Sequence, residues 1–158
     1  MKGKYKLMIF FLLCTNGIVL FLMWLQQNSI IRWKKQAKKK AEQYLLMNQW
    51  IKLKQEGKNL ESYFVKNHYK RIAVFGLGHI GKRLLKELKD SEIQVIYAIE
   101  RKTKNINSDI KVVPLAARIP NVDAVVVTVI EEFDDVSEVL AKKMKCPVIA
   151  IEDILNEI

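Results

Sequence analysis

The run Arg71-Ile72-Ala73-Val74-Phe75-Gly76-Leu77-Gly78-His79-Ile80-Gly81 constrains this chain more than any other stretch. An apolar, β-type segment leads without a polar spacer into three glycines spaced G-x-G-x-x-G. The chain must therefore leave a strand, turn tightly and enter a helix, and few folds use that sequence of events. Each glycine has its own task. Gly76 permits the turn, Gly78 lets backbone approach a phosphate closely, and Gly81 lets the following helix pack against the strand. Helix-forming residues 82–88 supply that helix, whose first-turn amides and positive dipole end would face an anion. The candidate cradle is thus Gly76, Leu77, Gly78, His79, Ile80 and Gly81.

Residues 93–99 read as a second strand ending at Glu100, nineteen residues beyond Gly81. That is close to the spacing at which a strand-tip carboxylate accepts hydrogen bonds from an adenosine ribose. Arg101 and Lys102 follow at once, and cations there can instead accept a 2′-phosphate, so NAD and NADP both stay open. Residues 111–113 form a short strand stopped by Pro114. A continuous β-branched run, 124–130, reads as a buried parallel strand; 134–143 reads as helix and 147–151 as a last strand. Thr128, polar near the end of the buried strand, is a further candidate ligand contact. Right-handed β-α-β connections then give an α/β fold, a single half-Rossmann open parallel sheet of about five strands over residues 70–158. No length remains there for a substrate domain.

Charge divides the chain. Through Tyr69 there are 13 Lys and Arg against 3 Asp and Glu, and from Lys70 onward 14 against 14. The excess lies beside an apolar segment and leaves the α/β part neutral, a placement that fits a membrane surface better than nucleic acid. Residues 7–25 carry no formal charge, and as a helix would span about 28 Å against a hydrocarbon core of about 30 Å. One transmembrane helix within an anchor at 1–28 is the expectation, with Thr15, Asn16 and Gly17 tolerated inside it. Six cations after the span against three before it place the C-terminal domain in the cytoplasm, with the protein single-pass in the cell membrane.

Residues 29–69 are expected to hold a basic amphipathic helix and a linker. Ile30, Trp33, Ala37, Ala41, Tyr44, Met47 and Ile51 recur at three- and four-residue steps, a stripe that needs a partner. A dimer seam, a surface-lying helix and a brace on the nucleotide domain are its three readings. Leu45, Leu46, Trp50 and Leu53 make the later half apolar on several sides, which points that half toward protein. Gly57 suits a left-handed helix end, and Asn59 suits a cap on a short helix at 60–66.

No catalytic constellation stands out. His68 lies in a polar entry loop, His79 lies in the glycine turn, and Cys14 and Cys146 have no metal-ligand spacing. Glu131, Glu132, Asp134 and Asp135 form an acidic cluster after the long strand, for which a helix N-terminus is sufficient reason.

The stretch Lys70 to Leu85, with Tyr97-Ala98-Ile99-Glu100 and Val122-Asp123-Ala124-Val125-Val126-Val127-Thr128, resembles small Rossmann-like domains of bacterial surface-polysaccharide (capsule) biosynthesis. Similar domains precede the catalytic part of membrane-bound nucleotide-sugar epimerase/dehydratases and polyprenyl-phosphate sugar transferases. The resemblance implies NAD or NADP as cofactor, with a nucleotide sugar or coenzyme A as alternatives, and carries over Gly76, Gly78, Gly81 and Glu100. It implies an accessory or regulatory role beside a membrane-associated glycan-assembly enzyme, with a homodimer open. A scaffold that binds no ligand and an NAD(P)-dependent nucleotide-sugar enzyme acting with a partner subunit are the alternatives.

Overall fold

The computed structural model describes residues 2–103 and 108–158, and within its first helix the side chains of Lys4, Lys6 and Thr15 onward. The chain falls into two compact units, Met1–Ala41 and Glu42–Ile158.

Helix α1 (Lys2–Gln55) is continuous, so the two separate helices expected from sequence are one. No helix among the described residues is long and apolar enough to cross a membrane. This overturns the transmembrane helix at 7–25, the membrane as a partner, and the single-pass location at the cell membrane. Polar Thr15 and Asn16, followed by Gly17, leave an unbroken described apolar stretch of only residues 18–25, about 12 Å of helix against a core of about 30 Å. The side chains of 7–14, the first part of the expected span, lie outside the described ones.

In the second unit, α1 ends at Gln55 and Gly57 takes a φ of +74°. The Lys58 amide donates to Leu53 O at 3.0 Å, which satisfies one of the carbonyls a helix end leaves free. Asn59 Oδ1 accepts from the Ser62 amide at 3.0 Å and so starts α2 (Glu61–Lys66). Leu46, Trp50 and Leu53 are the buried face of α1, whereas Trp33, Tyr44 and Ile51 of the longer stripe are exposed. The face that packs is thus offset from the stripe that periodicity picks out.

Strands β1 (Arg71–Phe75), β2 (Gln94–Glu100), β3 (Val112–Pro114), β4 (Ala124–Val127) and β5 (Val148–Ala150) form one parallel sheet in the order β3-β2-β1-β4-β5. Helix α3 (His79–Leu88) links β1 to β2, α4 (Phe133–Ala141) links β4 to β5, and α5 (Ile151–Glu157) follows. Side chains alternate across the sheet, as strand geometry requires. Ile72 and Val74 of β1 join Ala124 and Val126 of β4 in a core with α1, α2, α3 and α5. Ala73, Phe75, Val125 and Val127 join Val136 and Leu140 of α4 on the opposite face. Both faces are covered, which is why β4 is a continuous apolar run. That run does not continue as strand to residue 130: β4 stops at Val127, and Ile130–Glu132 is a 3₁₀ turn. Its ladder partner on β1 ends there too, since Val127 pairs with Phe75.

Candidate functional site

Strand β1 sits between β2 and β4, and the connection direction reverses between β1 and β4, so the crevice at their carboxyl ends is the topological switch point of the sheet. Gly76 and Thr128 are the first residues past the paired strand ends.

Gly76 has a φ of +94°, a left-handed conformation that a side chain disfavours. A Cβ there would also come within 2.7 Å of Val129 Cγ2 and 2.9 Å of Thr128 Oγ1. At Gly81 a Cβ would sit 1.9 Å from Gly76 O, so the first turn of α3 rests directly on the backbone of the glycine turn. Gly78 differs from both. Nothing lies within 4 Å of a Cβ built on it, and it is exposed at the N-cap of α3. Two glycines are therefore held by contacts inside the protein, while the third borders open space. That is the arrangement a bound phosphate needs.

The turn is pinned from two sides. Thr128 is buried, and its hydroxyl lies within donating distance of Gly76 O (2.7 Å) and Phe75 O (3.1 Å). Its amide donates to Phe75 O at 3.0 Å. From the β2 side, Glu100 Oε1 accepts from the Leu77 amide at 2.5 Å. The carboxylate at the strand tip thus fixes the turn and keeps its other oxygen for a further donor. Beside it, Arg101 Nη1 forms an ion pair with Glu132 Oε2 at 2.7 Å.

Of the residues singled out from sequence, Gly76, Leu77, Gly78, His79, Ile80, Gly81, Glu100, Arg101 and Thr128 all come together around this carboxyl edge. Ile80 is buried in the α3 core, and His79 is exposed at the helix start. Sequence reasoning missed Thr128 as a lock on the turn and Glu132 as the partner of Arg101. The position of Thr128 one residue past a buried run was the available signal; Glu132 offered none, because its meeting with Arg101 depends on strand order. A groove of about 810 Å³ runs from Leu77 along α3 past Lys82, Leu85 and Lys86 to Val95, with Leu77 as its one wall residue from the glycine turn among the described residues. No group of three or more His, Cys, Asp or Glu side chains that could hold a metal occurs among the described residues.

The glycine turn, the strand-tip carboxylate and the five-stranded parallel sheet define a Rossmann-like NAD(P)-binding domain. The chain belongs to the family described as "D-isomer specific 2-hydroxyacid dehydrogenase, NAD binding domain", whose model matches residues 30–150. No curated protein and no solved structure matches the chain. The residues present fit the cofactor of that family on the structure's own terms, since Gly78 opens onto free space at the N-terminus of α3. NAD(P) is accordingly the cofactor class for this domain.

Proposed function

We propose that this chain is an accessory or regulatory NAD(P)-binding protein that binds the dinucleotide at the carboxyl edge of β1. The observation that carries the reading is the contrast among the three glycines, two packed against protein and Gly78 facing open space. In this reading the first-turn amides of α3, which have no intrahelical partner, hold the pyrophosphate. The second oxygen of Glu100 accepts from the adenosine ribose. Thr128 keeps the turn in shape, His79 and Ile80 carry amides toward the ligand, and the Leu77 amide stays with Glu100. When bound, the nicotinamide supplies hydride-transfer chemistry. The resemblance of the motif run to accessory domains of surface-polysaccharide biosynthesis supports an accessory role in that context.

Calorimetry of the full chain with NAD(H), NADP(H), coenzyme A and nucleotide-diphosphate sugars tests the proposal. Micromolar binding of a nicotinamide dinucleotide, about −8 kcal/mol, is the expected result. Gly78→Asp places a carboxylate where phosphate is bound and abolishes that binding; normal affinity in this variant would refute the cradle.

A second reading, an interaction module that keeps the Rossmann shape without a ligand, is favoured by one observation. Trp33, Tyr44 and Leu45 of α1 are 69%, 67% and 64% exposed. Well-folded protein that binds none of these ligands would select it.

A further inference from the structure

Arg101 directly follows β2, and Glu132 lies five residues beyond β4 in the 3₁₀ turn before α4. Strand β1 lies between those two strands. The 2.7 Å ion pair from Arg101 to Glu132 therefore passes over the carboxyl end of β1, where the glycine turn leaves the sheet. Neighbouring Glu100 is already engaged with the Leu77 amide. The adenosine edge of the crevice thus carries a carboxylate on the turn and a guanidinium whose charge is answered by a second carboxylate. Glu132 occupies the N-cap position of α4 but its side chain makes no capping hydrogen bond, so helix geometry does not account for where it points. Among the described residues, Lys102, Glu131, Asp134 and Asp135 are the other charged residues of these two segments, and they leave the edge net acidic.

We infer that the Arg101–Glu132 pair sets the dinucleotide preference of the site: Glu132 acts as an internal anion that withholds Arg101 from the ligand, so the protein takes NAD in preference to NADP. The inference rests on the proposal that the crevice binds NAD(P). An additional phosphate on the adenosine ribose would face Glu100 and is held best by a planar guanidinium, which Arg101 provides only after leaving Glu132; Lys102 beside it offers a point charge without that fork geometry. NAD carries no such phosphate and meets no such requirement. Both side chains are about half exposed, at 50% and 39%, so the pair is of the weak, solvent-screened kind. Its removal is accordingly read as a modest shift in selectivity.

The test is calorimetric titration of the full chain and its Glu132→Gln variant with NAD and NADP. Wild type is expected to bind NAD more tightly. Glu132→Gln should tighten NADP about two- to fivefold while changing NAD little. In Arg101→Gln/Glu132→Gln the gain for NADP should vanish. If Glu132→Gln melts well below wild type, Glu132→Ser, a residue suited to a helix start, takes its place. Binding of both dinucleotides with the same ratio in wild type and variant would overturn the inference and leave the binding proposal standing. No binding of either ligand by either folded protein would overturn both. Binding by the variant alone would support the binding proposal but overturn the inference, which requires wild type to take NAD.

Discussion

The hydroxyl of Thr128 lies 2.7 Å from the carbonyl oxygen of Gly76, and this contact joins the end of one strand to the turn that follows its neighbour. The two residues are 52 apart in sequence yet adjacent in space, because β1 and β4 pair in parallel and stop together at Phe75 and Val127. Thr128→Val keeps the shape of the side chain and removes the donor, leaving a buried carbonyl without it. A loss of about 1–2 kcal/mol in chemical denaturation is expected, together with weaker dinucleotide binding. Unchanged stability would show that the Thr128 amide and the Leu77–Glu100 bond hold the turn without the hydroxyl.

Gly78 and Gly81 should respond in opposite ways to the same substitution. Gly81→Ala drives a Cβ into Gly76 O, a backbone atom that cannot yield without moving the turn. It should cost about 3 kcal/mol or more. Gly78→Ala meets nothing within 4 Å, so its stability should stay within about 0.5 kcal/mol of wild type while NAD(P) affinity falls. Thermal melts and calorimetry on the pair decide it.

Glu87 fastens α1 and the start of α2 to α3. Its carboxylate accepts from Trp50 Nε1 at 2.7 Å and from the Leu60 amide at 3.1 Å, and pairs with Lys54 Nζ at 2.8 Å. Glu87→Ala strands two N–H groups and should destabilise the protein by about 2–4 kcal/mol. Glu87→Gln retains one acceptor oxygen and should lose less. The fluorescence of Trp50, read in a Trp24→Phe/Trp33→Phe background, would report the opened contact directly.

Tyr97 gives the protein an alkaline limit. Its hydroxyl donates to Pro120 O, and burial, with Cys146 nearby, pushes the phenol up to about 12. The folded state thus favours the protonated form. Stability from this group is complete below pH 10, the ordinary tyrosine value, and is lost as pH rises toward 12. Tyr97→Phe should lower stability by about 1–2 kcal/mol at pH 8 and flatten the decline between pH 10 and 12. An equally steep decline in the variant would assign it to other groups, among them Tyr63, whose phenol burial also raises.

Glu152 acts in the acid range with the same sign. Burial raises its carboxyl above the usual value, and Asp153 and Glu42 add to the effect against an opposing backbone hydrogen bond. A raised folded value means that ionisation is disfavoured by folding, so stability falls as pH climbs through the carboxyl range. Glu152→Gln should therefore melt about 1–3 °C higher than wild type at pH 7, with the gap closing near pH 4. A gap that widens on acidification would contradict this.

The glycine turn and its helix were legible in the sequence because their determinants are local: strand, turn and helix lie within residues 71–88. Glu100 was legible by spacing alone, although its bond to the Leu77 amide was not. Contacts made by chain reversal were hidden. Arg101 and Glu132 meet only because β1 lies between β2 and β4, and Glu87 reads as an ordinary surface charge until α1 is placed against it. The long helix misled for a different reason. Its apolar residues lie on several sides, and periodicity does not say whether the face of Trp33, Tyr44 and Ile51 or that of Leu46, Trp50 and Leu53 will find protein. Likewise, the apolar character of 18–25 is a matter of local composition, whereas crossing a bilayer is a matter of length.

The central place of β1 also orders events during synthesis. Arg71–Phe75 leaves the ribosome with its first partner, β2, close behind, but its other edge has no partner until Ala124–Val127 has emerged. Until then a nascent chain presents Ile72 to Phe75 as an open, apolar strand edge, the kind of surface that recruits neighbouring chains. Because Thr128 comes directly after β4, the same few residues that close this edge also lock the glycine turn. The ligand cradle is consequently locked only once β4 and Thr128 have emerged, some fifty residues after its own first glycine.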